Sequence, residues 1–193
     1  MFKSYKGRIG YLKKQTVRQG LFTLIMLMVS AGIFVTGWIV TKSPKNLLTI
    51  ASVLGMLPVS KSLVSFIMYI RAEKYTCDSK VVEAALETQG DNTNGILMFD
   101  SYMTSYDKVF PVKCTYIKNG CLIGLMAEGK SSCNDAKDYL VDYMGKNSIS
   151  GITIKYFNDE QKFLNRFKEL AALEIEYSEP ELSLMALINN LTL

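Results

Sequence analysis

Two apolar runs separated by six residues constrain this chain more than any other feature in it. Residues 21–40, LFTLIMLMVSAGIFVTGWIV, contain no charge. A helix of about 20 apolar residues crosses the ~30 Å hydrocarbon core of a bilayer. Trp38 stands near one end, where interfacial aromatics collect. Signal-peptide cores are shorter, about 7–15 residues, and are followed by a small-x-small cleavage site that this run lacks. The run is therefore read as a retained anchor. Residues 47–70, LLTIASVLGMLPVSKSLVSFIMYI, supply a second span, and the intervening TKSPKN is too short to hold a domain. The two helices are expected to form an antiparallel transmembrane hairpin over residues 21–70.

Charge gives the hairpin a direction. Met1–Lys74 carries 11 Lys/Arg and one acid, Glu73, whereas residues 75–193 carry 11 Lys/Arg and 17 Asp/Glu. The two parts hold +10 and −6 of the net +4, so the net charge describes neither. Lys3, Lys6, Arg8, Lys13, Lys14 and Arg18 precede the first span, and Arg71 and Lys74 follow the second. The connecting loop offers only Lys42 and Lys45. Basic residues stay on the cytoplasmic side. The expectation is a multi-pass protein of a bacterial plasma (inner) membrane with both termini cytoplasmic. Residues 1–20 interleave Phe2, Tyr5, Tyr11 and Leu12 with the six positive charges. They read as a juxtamembrane segment lying on anionic lipid headgroups. Nucleic acid is not an expected partner, because the positive charge belongs to the membrane flank.

The second span has two irregular features. Pro58 removes a backbone donor and can kink the helix. Lys61, between Ser60 and Ser62, is a membrane-embedded polar residue, and such charges are costly and often functional. Lys61 either snorkels toward the inner face or serves transport, which two helices could do only as an oligomer or with a partner. Ala51-x-x-x-Gly55 is a small-xxx-small pattern able to seat the first helix closely.

The four cysteines (Cys77, Cys114, Cys121, Cys133) include no C-x-x-C pair, and there is no histidine. That excludes Ser-His-Asp and Cys-His catalysis and most familiar zinc sites. The cysteines read as reduced packing residues of a cytosolic domain.

Residues 75–193 are enough for one compact domain with its own core. Periodicity predicts a helix over 79–89, strands over 96–103, 108–118 and 121–130, and a helix over 136–146. A strand over 151–157 and helices over 160–173 and 178–193 complete the pattern. The fold class is α/β: a transmembrane hairpin followed by a small cytoplasmic domain with a mixed sheet of about four strands, ordered α-β-β-β-α-β-α-α. Asn119-Gly120 is a strong two-residue hairpin signal. It pairs Lys118 with Cys121 and puts Phe110, Val112, Cys114, Tyr116, Cys121, Ile123, Leu125 and Ala127 on one core face. The other, more polar face receives Ile117, Leu122, Met126, Glu128 and Lys130, with Asp107 at the same end.

A strand bearing Asp, a later strand ending in Glu128-Gly-Lys130, then a helix and a further strand resembles the PD-(D/E)xK nuclease fold over residues 79–157. The resemblance implies Asp107 and Glu128 as metal ligands, Lys130 as the group that positions water, and Mg or Mn as cofactor for phosphodiester hydrolysis. Asp100 competes with Asp107 for the first position. The phrase MTSYDKVFPV with the hairpin also resembles uncharacterised bacterial membrane proteins, which implies no activity.

Two functions follow as expectations. The first is a membrane protein that holds a cytoplasmic interaction or regulatory domain at the bilayer, with no cofactor and with a protein partner or a second copy of itself as its associate. The alternative is a membrane-tethered, metal-dependent nuclease-like domain.

Overall fold

A computed structural model of the chain describes residues 6–43, 46–89, 95–128, 131–173 and 179–193. The elements are α1 (Tyr11–Thr41), α2 (Leu47–Glu73), α3 (Ser79–Gln89), β1 (Ile96–Thr104), β2 (Val109–Lys118) and β3 (Cys121–Met126). They continue with α4 (Cys133–Lys146), β4 (Thr153–Phe157), α5 (Glu160–Ala171) and α6 (Glu179–Leu191). Their order is the one the hydrophobic periodicity predicts. The chain divides into two compact units. One is the hairpin Leu12–Lys74, and the other joins the residues up to Tyr11 to Tyr75–Leu193.

In the hairpin unit both helices are long and apolar enough to cross a membrane. Small and hydroxylated residues hold them together. Thr23 Oγ1 and Ser62 Oγ lie 2.7 Å apart, Gln19 Nε2 donates to Ser62 Oγ at 3.1 Å, and Ser52 Oγ donates to the Ser30 carbonyl at 2.8 Å. A Cβ on Gly37 would stand 2.7 Å from Leu48 Cβ, and one on Gly55 would stand 2.9 Å from Ser30 Oγ. Close approach of this kind is what small residues permit between apolar helices. Gly55 and Ser52 do the seating, while Ala51 is exposed. The pairs Thr23–Ser62, Ser30–Gly55 and Gly37–Leu48 each sum to 85, which fixes the register of the two helices. Lys61 is therefore level with Leu24, three residues inside the apolar run of α1 that starts at Leu21. At 1.5 Å per residue that is about 4.5 Å. Its side chain is exposed, and α2 continues through Pro58 without a break.

The α/β unit is a four-stranded mixed sheet in the order β1-β2-β3-β4. β1, β2 and β3 form an antiparallel meander, and α4 carries the chain across so that β4 pairs parallel to β3. Both faces are covered. Against one face, α4 and α6 pack Leu140, Met144, Leu184, Leu187 and Ile188 onto Met98, Met103, Phe110, Val112, Ile117, Leu122 and Met126. Against the other, α3 and α5 pack Val81, Val82, Ala85, Phe163, Phe167 and Leu170 onto Phe99, Cys114, Tyr116, Ile123 and Leu125. The expected polar face is thus a second core, because α6 folds back onto the sheet. Ser132 caps α4 and Asp159 caps α5, each side chain accepting first-turn backbone N–H groups. At the far end of α5, the fully buried Lys118 amine donates to the carbonyls of Ala171 at 2.9 Å and Leu173 at 2.7 Å. The Ala171 carbonyl is one of the last four that a helix terminus leaves without partners, and Leu173 lies two residues beyond the helix.

The Asn119-Gly120 turn has both φ angles positive, 49° and 66°, as a type I′ turn requires. The predicted register holds from Lys118↔Cys121 to Cys114↔Leu125, and then one residue is passed over so that Val112 faces Met126. Lys113 is the extra residue of this bulge. Across from it in β1 stands Asp100, between the pairs Phe99↔Cys114 and Ser101↔Val112, with φ 55°. An inserted residue reverses which side of a strand faces which layer. Phe110 and Val112 accordingly lie with Ile117 and Met126 rather than with Cys114.

Candidate functional site

Among the described residues the outer edge of β1 has no neighbouring strand, and segments from both ends of the α/β unit lie along it. The Phe99 N–H donates to the Gly7 carbonyl at 2.9 Å. Further along, the Leu193 N–H donates to the Tyr102 carbonyl at 3.2 Å and Thr192 bridges to Met103. Lys6 Nζ donates to the carbonyls of Asn189 at 3.0 Å and Thr192 at 2.5 Å, joining the two ends. Covering an edge in this way satisfies its backbone and blocks pairing with other chains.

Asp100 lies at the centre of this arrangement, 2% exposed. Its Oδ1 accepts the backbone N–H of Cys77 at 2.8 Å and its Oδ2 that of Gly10 at 3.2 Å. Gly10 immediately precedes α1 and Cys77 follows soon after α2, so one carboxylate grips the chain on both sides of the hairpin. The positive φ at Asp100, which Asp and Asn tolerate better than most residues, carries the side chain out of the strand alternation. Burial raises the Asp100 pKa, and the two backbone hydrogen bonds only partly oppose that.

The surroundings are charged but fully engaged. Burial, and after it the Asp100 charge, pushes the Cys77 thiol up to about 12, with Lys113 opposing. Such a thiol stays protonated and is not a nucleophile. Lys113 donates to Asp78 at 2.6 Å and to Glu160 at 3.4 Å. Burial works against its charged form, but the two carboxylates outweigh it and raise its pKa. The site is built to hold backbone in place, and it presents no nucleophile paired with a base.

The residues singled out from sequence are placed differently. Asp107 lies in the turn between β1 and β2, and Glu128 just beyond β3; both are exposed. Neither makes a hydrogen bond or ion pair among the described residues. They share one end of the sheet, since the Ala127 N–H donates to the Pro111 carbonyl at 2.9 Å. The bulge at Lys113 removes the unbroken alternation that put them on one face. Lys130 lies outside the described residues. Asp100, the competing first acid, has both oxygens occupied by backbone amides and is no ready metal ligand. Among the described residues no group of three His, Cys, Asp or Glu side chains could hold a metal ion. Sequence reasoning did not find Lys6, Gly10, Lys113 or Lys118. The available signal was a lone acid inside the apolar strand ILMFDSYM, but its partners lie 23 and 90 positions away.

Comparison with protein families, with curated proteins and with solved structures finds no match to this chain.

Proposed function

We propose that this is an integral membrane protein whose helical hairpin holds the α/β unit at the cytoplasmic face of a bacterial inner membrane, where that unit acts as an interaction or regulatory domain. The observation that carries this reading is the Asp100 carboxylate bound to both Gly10 and Cys77. That carboxylate ties together the chain segments that lead into and out of the apolar hairpin. Support comes from the positive charge on both flanks of the hairpin and from exposed apolar residues along both helices, among them Ile25, Met28, Val35, Val53, Leu54 and Leu57. Lys61 needs no transport role: about 4.5 Å inside the apolar run, its stem reaches the headgroup region by snorkelling.

Alkaline carbonate extraction together with cysteine labelling of intact and opened cells tests the proposal. The protein should remain with the membranes. A cysteine at Ser43 should react from outside, and one at Lys155 only after the cells are opened. Release by carbonate, or labelling of position 155 in intact cells, would overturn it.

One observation favours the second reading, a nuclease-like domain. The order α3-β1-β2-β3-α4-β4 is the one that the resemblance implies, and it brings Asp107 and Glu128 to one end of the sheet. Calorimetric titration of Mn²⁺ into the full chain and its Glu128→Gln variant separates the two readings. Saturable binding lost in the variant supports metal chemistry, and identical flat titrations remove it.

A further inference from the structure

We infer that the start of α1 carries a binding site for an anionic phospholipid, with the headgroup phosphate seated on Arg18. This rests on the membrane reading above and adds a ligand to it. A groove of about 450 Å³ is lined by Gln15, Arg18, Gln19, Leu21, Phe22 and Ile25. Positions 15, 18, 22 and 25 follow the helical i, i+3, i+7 spacing and so share one face. The groove changes character along its length. Its N-terminal half is a guanidinium and two amides, and its C-terminal half is three apolar side chains. The change falls between Gly20 and Leu21, where the apolar run of residues 21–40 begins.

That sequence of groups matches one class of ligand. A phospholipid places a phosphodiester monoanion at the same depth at which its acyl chains begin, and in an anionic lipid no headgroup cation offsets that charge or competes with the guanidinium. Arg18 is exposed and has no carboxylate partner among the described residues. The only acid in residues 1–74 is Glu73, which the helix register sets level with Leu12, six residues before Arg18. A guanidinium offers two parallel donors to phosphate oxygens. Lys14, exposed one turn earlier, lies on the same side of the helix and adds positive charge. Phe22 and Ile25 then flank the first part of an acyl chain. Free phosphate would satisfy the polar half and leave the apolar half unused, so the lipid is the ligand that the whole groove fits.

The test is native mass spectrometry of the full chain in non-ionic detergent. Phosphatidylglycerol and phosphatidylcholine with identical acyl chains are supplied in equal amounts. Phosphatidylglycerol should be retained about fivefold better, the factor that one basic residue contributes at an anionic surface. Arg18→Gln should erase the preference, and Lys42→Gln, in the loop at the other end of the hairpin, should keep it. Equal retention of the two lipids by the unaltered chain, or an undiminished preference in Arg18→Gln, overturns the site. So does complete displacement of the lipid by millimolar inorganic phosphate, which would make the apolar half irrelevant. Carbonate extraction of the same preparations separates the two failures. A chain that stays in the membrane without lipid preference loses only this site, and a chain released by carbonate loses the membrane reading itself.

Discussion

Oδ1 of Asp100 accepts the backbone N–H of Cys77 at 2.8 Å across 23 positions of sequence, and Oδ2 reaches 90 positions back to Gly10. Removing the carboxylate strands two donors in a buried setting, each costing roughly 1–3 kcal/mol. Alanine also tolerates φ 55° less well than Asp does. Asp100→Ala should therefore destabilise the α/β unit by about 3 kcal/mol and lower its thermal midpoint by roughly 10 °C. Asp100→Asn, which accepts the φ and keeps one acceptor oxygen, should lose less. Circular dichroism melts of the full chain in detergent measure both.

The same residue sets a pH dependence. Its folded pKa lies above the unfolded value of 3.8 because burial penalises the ionised form. The folded state thus holds its proton to higher pH than the unfolded chain does. Stability is unaffected by this group below 3.8, falls as pH rises from there through the raised folded pKa, and is level beyond it. Asp100→Asn lacks the step. The difference in melting midpoint between the unaltered chain and Asp100→Asn should shrink from pH 4 upward and then become constant. A difference that grows with pH would contradict the assignment.

Cys77 should be almost inert to alkylation. With a pKa of about 12, its thiolate fraction at pH 8 is roughly a thousandfold below that of an ordinary thiol near 8.5. Peptide-resolved iodoacetamide kinetics on the folded chain should show that deficit, and unfolding in guanidinium should abolish it.

The hairpin contact makes a paired prediction. A side chain at Gly37 would press on Leu48 Cβ, which bond rotation cannot move aside, whereas the space beside Gly32 is open. Gly37→Val should lower the detergent-resistant melting of the hairpin and Gly32→Val should leave it unchanged. Equal effects would mean that the two helices do not meet along this seam.

Lys118→Met keeps most of the buried volume but removes both donors to the end of α5. Leaving the part-buried Ala171 and Leu173 carbonyls without this donor should cost about 1–2 kcal/mol. Urea titration would show this as a lower midpoint with an unchanged slope.

Much of this architecture is legible because its signals are local. Two runs of 20 and 24 apolar residues can only be long helices. Ser132 or Asn134, and Asn158 or Asp159, stand where helix caps are expected, and Asn119-Gly120 sets the register of five residue pairs. The reading fails where a partner is distant. Nothing around Lys113 announces a bulge, and the residue opposite it, Asp100, lies on the neighbouring strand. Once that pair breaks the alternation, Phe110 and Val112 change layers. Ile117, Leu122 and Met126 suggested a weakly polar face only while the destination of α6 was open. Glu128 and Asp107 drew notice by residue type, yet the structure leaves both exposed, whereas Asp100, read only as a rival ligand, proves to be the acid with defined partners.

The clasp also bears on the order of events during synthesis. Gly10 leaves the ribosome 90 residues before the carboxylate that will hold it, an interval of about 5–20 s at elongation rates of roughly 5–20 residues per second. Both helices of the hairpin are made within that interval. On the membrane reading, insertion can therefore be finished while the α/β unit is still open, and its closure over Gly10 and Cys77 is a late step. A version of the domain that begins at Tyr75 would be made without that step, and its β1 edge would lack the Gly7 and Gly10 contacts from the start.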